Sequence, residues 1–200
     1  MPGRLGVRVV VAEAHDAYAL LREVVAERTG AAADRLLVDR APCPSCGGPH
    51  GRPVLRGLPD GPLLPFVSVA SSGPVVAVAV SAWPVGVDVE SLSGTGFSGF
   101  REVALHPDEQ AHVRGAAARA TVWTRKEAVL KAAGVGLLVD PASVVVTRPG
   151  TPAALVDWPR RPQRVRRPEY LPLPEPAYVH VVDVDAPAGY AAAVAVLKHP

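Results

Sequence analysis

Apolar positions follow two rhythms along this chain. Over residues 7–12, 66–80, 85–90 and 178–196, valine and alanine either alternate with other residues or run together, the signature of strands. Residues 14–28 and 106–133 are instead rich in Ala, Leu, Arg and Glu, with proline confined to the start of the second stretch, which predicts helices. Tyr18, Leu21, Val25 and Ala26 share one face of the first helix, and Gly30 follows it as a stop. Residues 31–65 read as loop-rich, with a short strand near 36–39. A helix followed at some distance by a hairpin occurs twice, 14–28 before 66–80 and 106–133 before 178–196. Duplication of one α+β unit explains that pattern.

The second helix carries a mixed stripe. At 3.6 residues per turn, Trp123, Glu127, Leu130, Lys131 and Gly134 fall along one side. Glu127 and Lys131 alone would be a surface i,i+4 pair worth about 0.2–0.5 kcal/mol. Lysine usage tells against that reading: the chain has 18 arginines and three lysines, and two of the three, Lys126 and Lys131, sit in this helix. An ammonium is a compact charge able to approach a phosphate oxygen or pass a proton, where a guanidinium is a planar fork. A second acidic feature is Gly86-Val-Asp88-Val-Glu90. Residues two apart on a strand face the same way, so Asp88 and Glu90 share a face and Val87 and Val89 take the other. Such a pair either reaches solvent at a strand end or needs a cation, for which a hard divalent ion is suited.

Composition narrows the picture. Two hundred residues suffice for one domain or two small lobes on a shared core. No run of 18 apolar residues suggests a membrane span, and Val7–Ala12 is too short and interrupted for a secretion signal, so a cytoplasmic protein is expected. A net charge of +2 is too small to indicate nucleic acid, but suits an acidic protein partner. Cys43-x-x-Cys46 with His50 invites a zinc site. A closed one takes four ligands, and only two cysteines exist. The preferred reading is a turn whose glycines let backbone approach a ligand, with Arg52 reaching toward it. Residues 158–168 hold five arginines among prolines, an extended loop that either recruits an acidic partner through Arg164 and Arg166 or is simply solvated.

Taken together, the Gly86–Glu90 strand and the Trp123–Gly134 helix resemble the signature of the 4′-phosphopantetheinyl transferases, in particular the two-lobed, single-chain (Sfp-type) class. Gly51-Arg52-Pro53 is similar to that family's G-K-P segment, Phe66 to Gly73 to its F-x-x-S-H-S-G segment, and Ala104 to Glu109 to the helix opening after its metal strand. The resemblance implies two similar lobes with pseudo-twofold symmetry, 1–96 and 97–200. Each would be a small, mainly antiparallel sheet packed with a long helix, with the active site between them. It implies transfer of 4′-phosphopantetheine from coenzyme A to a serine of an acyl or peptidyl carrier protein, with release of 3′,5′-ADP. Magnesium, or manganese in its place, would be held by Asp88, Glu90 and Glu127. Glu127 would act as base and Lys131 would stabilise the leaving phosphate. Gly51, Arg52, Pro53, Ser71, Ser72, Lys126 and Lys131 would bind coenzyme A. Glu109 is read as a helix-start or surface carboxylate. The internal repeat makes a monomer the expected state. Two departures stand out. Ala70-Ser71-Ser72 replaces S-H-S, and Tyr18 stands where a basic residue is expected, which thins the clamp on the 3′-phosphate. The competing reading is a non-catalytic protein that binds coenzyme A or a carrier.

Overall fold

A computed structural model describes residues 6–44, 46–58, 65–163 and 172–198. Strand β1 (Val7–Glu13) leads into helix α1 (Ala17–Thr29), which Asp16 caps by accepting from the Tyr18 and Ala19 amides. A small hairpin of β2 (Leu37–Arg40) and β3 (Pro53–Arg56) follows, then β4 (Phe66–Ser72), β5 (Val75–Ser81) and β6 (Val85–Ser91). Two short helices, α2 (Phe100–Ala104) and α3 (Pro107–Gln110), precede the long α4 (Gly115–Ala132). Strands β7 (Val145–Val146), β8 (Leu155–Asp157), β9 (Val179–Val184) and β10 (Tyr190–Leu197) complete the order. The expected α+β character is present: helices pack on small antiparallel sheets.

Two three-stranded sheets dominate, ordered β1-β5-β4 and β6-β10-β9, and every pairing in them is antiparallel. The turn at 82–84 carries the chain from one sheet to the other, so β6 pairs with β10 rather than with its sequence neighbour β5. The break expected after residue 96 would separate β6 from the sheet into which it hydrogen-bonds.

Strand alternation sorts the valines into layers. Val76, Val78 and Val80 of β5 meet Leu21, Val24 and Val25 of α1. Val75, Ala77 and Ala79 face the other way, onto Val87, Val89, Val194 and Val196 of the second sheet. The outer face of that second sheet presents Ala193 and Ala195 to Ala128, Val129 and Ala132 of α4. The result is four layers, helix, sheet, sheet, helix, in which β5 is buried along its whole length. A strand covered on both faces reads as a continuous apolar run, as 75–80 does.

Two local devices set the position of α4. A Cβ at Gly86 would run into the Ala128 carbonyl oxygen, the Ala132 nitrogen and Lys131 Cβ, so only glycine lets the helix lie this close to β6. At the other end of the layer, Arg125 is fully buried. It donates Nε and Nη2 to Asp183 on β9, and further bonds to the Thr147, Arg148 and Thr151 carbonyls. Of the arginine-rich stretch, Trp158 is a core residue that donates Nε1 to the Pro174 carbonyl (2.9 Å), while Arg164 and Arg166 lie outside the described residues.

Candidate active site

Strand β6 and helix α4 together hold the chemistry. Asp88 and Glu90 share the β6 face opposite Val87 and Val89, the face that Gly86, two residues before Asp88, turns toward α4. Asp88 is almost wholly buried, and its Oδ1 accepts from Lys131 Nζ at 2.6 Å. Lys131 also donates to the Val87 carbonyl at 3.3 Å. Burial pushes the Asp88 carboxyl up to about 7, against the pull of Lys131, with the negative charges of Glu127 and Glu90 adding to the rise. Burial also raises Glu127, which Lys131 partly opposes. Asp88 Oδ2 and Glu127 Oε1 are buried oxygens without a hydrogen-bond partner. Two such atoms on neighbouring carboxylates cost free energy unless something positive meets them. As hard oxygen donors they fit a divalent cation such as magnesium.

Glu90 is drawn aside. Its Oε1 accepts from Ser72 Oγ (2.6 Å) and from the Ser91 amide (2.7 Å). Ser72 on β4 in turn accepts from the Ser91 amide, and Ser68 accepts from the Val87 amide at 3.0 Å, so two serine hydroxyls satisfy amides along the edge of β6 that faces β4. The structure therefore brings Asp88, Glu127 and Lys131 into one group and ties Glu90 to the adjoining sheet. All three acids come from β6 and α4, which pack against each other, with Ser72 as the contribution from the first sheet.

Beside this group lies a cavity of about 770 Å3, bounded by β3, β4, the start of β6 and the C-terminal end of α4. Lys131, Arg40, Arg52 and His50 supply its basic groups, and Phe66, Val67, Val69 and Leu138 part of its apolar wall. Its size falls within the range of about 300–1,000 Å3 usual for small-molecule and cofactor sites. Arg52 lies with its guanidinium 5.8 Å from the Phe66 ring centroid, a cation–π placement. Tyr18, standing where a basic residue was expected, holds one in place: Arg40 Nε donates to Tyr18 Oη at 2.6 Å and its guanidinium stacks on the ring. Gly51, Arg52, Pro53 and Lys131 all line the cavity. Gly51 is required there by the chain itself, because a Cβ would strike the Ala41 and Pro42 carbonyl oxygens.

Three expected binding residues are placed otherwise. Lys126 is fully buried on the other side of α4, where Nζ donates to Glu109 Oε2 (2.5 Å), the Ala104 carbonyl (2.6 Å) and the Pro141 carbonyl (3.0 Å). It holds the fold together and has no donor left for a pyrophosphate. Ser72 spends its hydroxyl on Glu90, and Ser71 is exposed on β4 away from the cavity wall. Glu109 does open α3, closing a capping box with His106, but it is buried, where a surface position was expected. Its Oε1 accepts from the Val146 amide (3.0 Å) and its Oε2 from Lys126. Sequence reasoning looked to the arginines of residues 35–56 as a group without singling out Arg40, whose position carried no periodic signal.

A two-sheet frame that sets one unpartnered oxygen on each of two desolvated carboxylates, and an ammonium, beside a cavity reads as a functional site more readily than as a packing core. A family model for the 4′-phosphopantetheinyl transferase superfamily (ACPS) matches residues 84–195, more than half of the chain, beginning just before β6 and ending within β10. The protein belongs to that superfamily, whose members are transferases of phosphopantetheine. No curated protein matches the chain. No helix among the described residues is long and apolar enough to cross a membrane.

Proposed function

We propose that this protein transfers the 4′-phosphopantetheine group of coenzyme A to a serine of an acyl or peptidyl carrier protein, with magnesium or manganese, and releases 3′,5′-ADP. The carriers would serve polyketide, nonribosomal peptide or fatty acid synthesis. The observation that carries this reading is the pair of unpartnered buried oxygens, Asp88 Oδ2 and Glu127 Oε1, beside Lys131 at the wall of the cavity. We place the protein in the two-lobed, single-chain class, with β1-β5-β4 and β6-β10-β9 as pseudo-symmetric halves, each a strand, a helix and a returning hairpin. On this reading the lobe boundary moves from residue 96 to the turn before β6.

Asp88 and Glu127 would hold the cation, and Glu90 would join them by turning its second oxygen from the edge of β6. Such an ion supplies neutralisation of the pyrophosphate charge. The rest falls to the protein. Arg52 and Arg40 would take the nucleotide end of coenzyme A in the cavity, with Gly51 and Pro53 shaping its wall. Glu127, whose affinity for a proton is raised by burial, would accept the carrier serine's proton as the serine oxygen bonds to phosphorus and the pyrophosphate P–O bond breaks. Lys131 would stabilise the charge left on the departing phosphate. A purified apo carrier protein incubated with coenzyme A, magnesium and the enzyme should gain the phosphopantetheine mass. A protein that binds coenzyme A without that gain would support the non-catalytic reading instead.

A further inference from the structure

A second group of ligand-type side chains stands outside this chemistry. The sulfurs of Cys43 and Cys46 and a ring nitrogen of His50 lie within 4.8 Å of one another, with Cys46 Sγ 3.0 Å from His50 Nε2. Backbone bonds gather them. The Cys43 amide donates to the Gly48 carbonyl (2.7 Å), the Gly47 amide to the Cys43 carbonyl (2.8 Å), and the His50 amide to the Gly48 carbonyl (2.8 Å). Gly47 takes a positive φ of 77° to close the turn. Gly48 leaves room for the cluster, since a Cβ there would sit 3.1 Å from His50 Cδ2 and 3.4 Å from Cys46 Sγ. The two cysteines are not joined in a disulfide.

We propose that Cys43, Cys46 and His50 bind a zinc ion, with water as the fourth ligand. Two thiolates and one imidazole form a neutral site with Zn2+, a donor set that suits zinc over magnesium. Zinc bonded tetrahedrally at its usual distances separates sulfur from nitrogen by about 3.6 Å. The Cys46–His50 pair therefore needs to open by only roughly 0.6 Å from its 3.0 Å. Sequence spacing pointed away from zinc because it supplies three ligands; the geometry shows those three already converged, and a site completed by water needs no fourth residue. The ion would fasten the base of the β2–β3 hairpin. Immediately beyond it, the Ala41 amide donates to Arg52, the Gly51 amide to Ala41, and Arg40 Nη1 to the Gly51 carbonyl. Cys43 and His50 line the same cavity as Arg40 and Arg52, so zinc would hold the arginine-bearing wall in shape. The site does not depend on the proposed transfer reaction.

The test is metal analysis of full-length protein made without a polyhistidine tag in zinc-supplemented medium and dialysed. Mass-spectrometric elemental analysis should find about one zinc per chain, falling about tenfold or more in Cys46→Ser and in His50→Ala. Cobalt-substituted wild type should show a thiolate-to-cobalt charge-transfer band that Cys46→Ser weakens, and thermal unfolding establishes that both variants fold. Wild type with under about a tenth of an equivalent of zinc, or variants that retain it, would overturn the proposal. So would a Cys43–Cys46 disulfide in the native protein, seen as a mass lower by two hydrogens.

Discussion

Lys126 and Lys131 lie five residues apart on α4 and meet opposite surroundings. Around Lys126 every charge is answered: three acceptors take its ammonium, and the partner Glu109 is itself bonded through both oxygens. Around Lys131 the network is incomplete, with one oxygen of Asp88 and one of Glu127 unpartnered. Both regions are buried and charged, and burial opposes the charged form in each, lowering Lys126 and raising Asp88 and Glu127. Completeness separates them. A closed network fixes the packing of α4, and an open one keeps capacity for a ligand.

The sharpest way to break this comparison is Glu127→Gln. It should cut carrier modification by about 10^3-fold or more while leaving thermal stability unchanged or higher, because a desolvated charge is removed. Unfolding of the variant would make Glu127 a structural residue like Glu109. On the closed side, Lys126→Met should cost about 3–5 kcal/mol in denaturant unfolding, because Glu109 is left charged and buried. Adding Glu109→Gln should recover part of that loss. A variant of Lys126 with full stability but a raised KM for coenzyme A would return Lys126 to the substrate site.

A smaller effect concerns pH. The folded value of about 7 for Asp88 stands above its ordinary 3.8, so folding favours the protonated form. That contribution is complete below pH 3.8 and is lost as pH rises through about 7. In magnesium-free buffer, stability should decline across that interval by on the order of 4 kcal/mol. Asp88→Asn should flatten the profile, and magnesium at pH 8 should restore stability to wild type but not to the variant. Unfolding curves across pH check both. The smallest effect tests the cavity's far end. With Ser71 exposed and no histidine on β4, dephospho-coenzyme A should lose less than about tenfold in kcat/KM, equivalent to about 1.4 kcal/mol. A much larger loss would show that Arg40 and Arg52 grip the 3′-phosphate as firmly as a dedicated clamp.

Much of the fold was legible in the strands. Period-two alternation put Val87 and Val89 on one face and Asp88 and Glu90 on the other, and the layers follow that division. The long apolar run at 75–80 was legible as a strand, since both its faces are covered. Partner choice was not legible: β5 and β6 are neighbours in sequence, yet each joins a different sheet. A turn of a few residues permits a hairpin or a crossing equally, and long-range packing selects between them. The helix stripe was read only in part. It picked out Glu127 and Lys131, but α4 is buried around most of its surface, and Arg125 and Lys126 are more fully desolvated than either.

The amino-acid sequence alone determined the elements, the shared face of Asp88 and Glu90, and the i,i+4 placement of Glu127 and Lys131, because each follows from the local geometry of a strand or a helix. Only the tertiary structure decided which buried charges were answered. That depends on partners remote along the chain, such as Glu109 for Lys126 and Asp183 for Arg125, and it drew Cys43, Cys46 and His50 together through a turn that residue spacing does not specify.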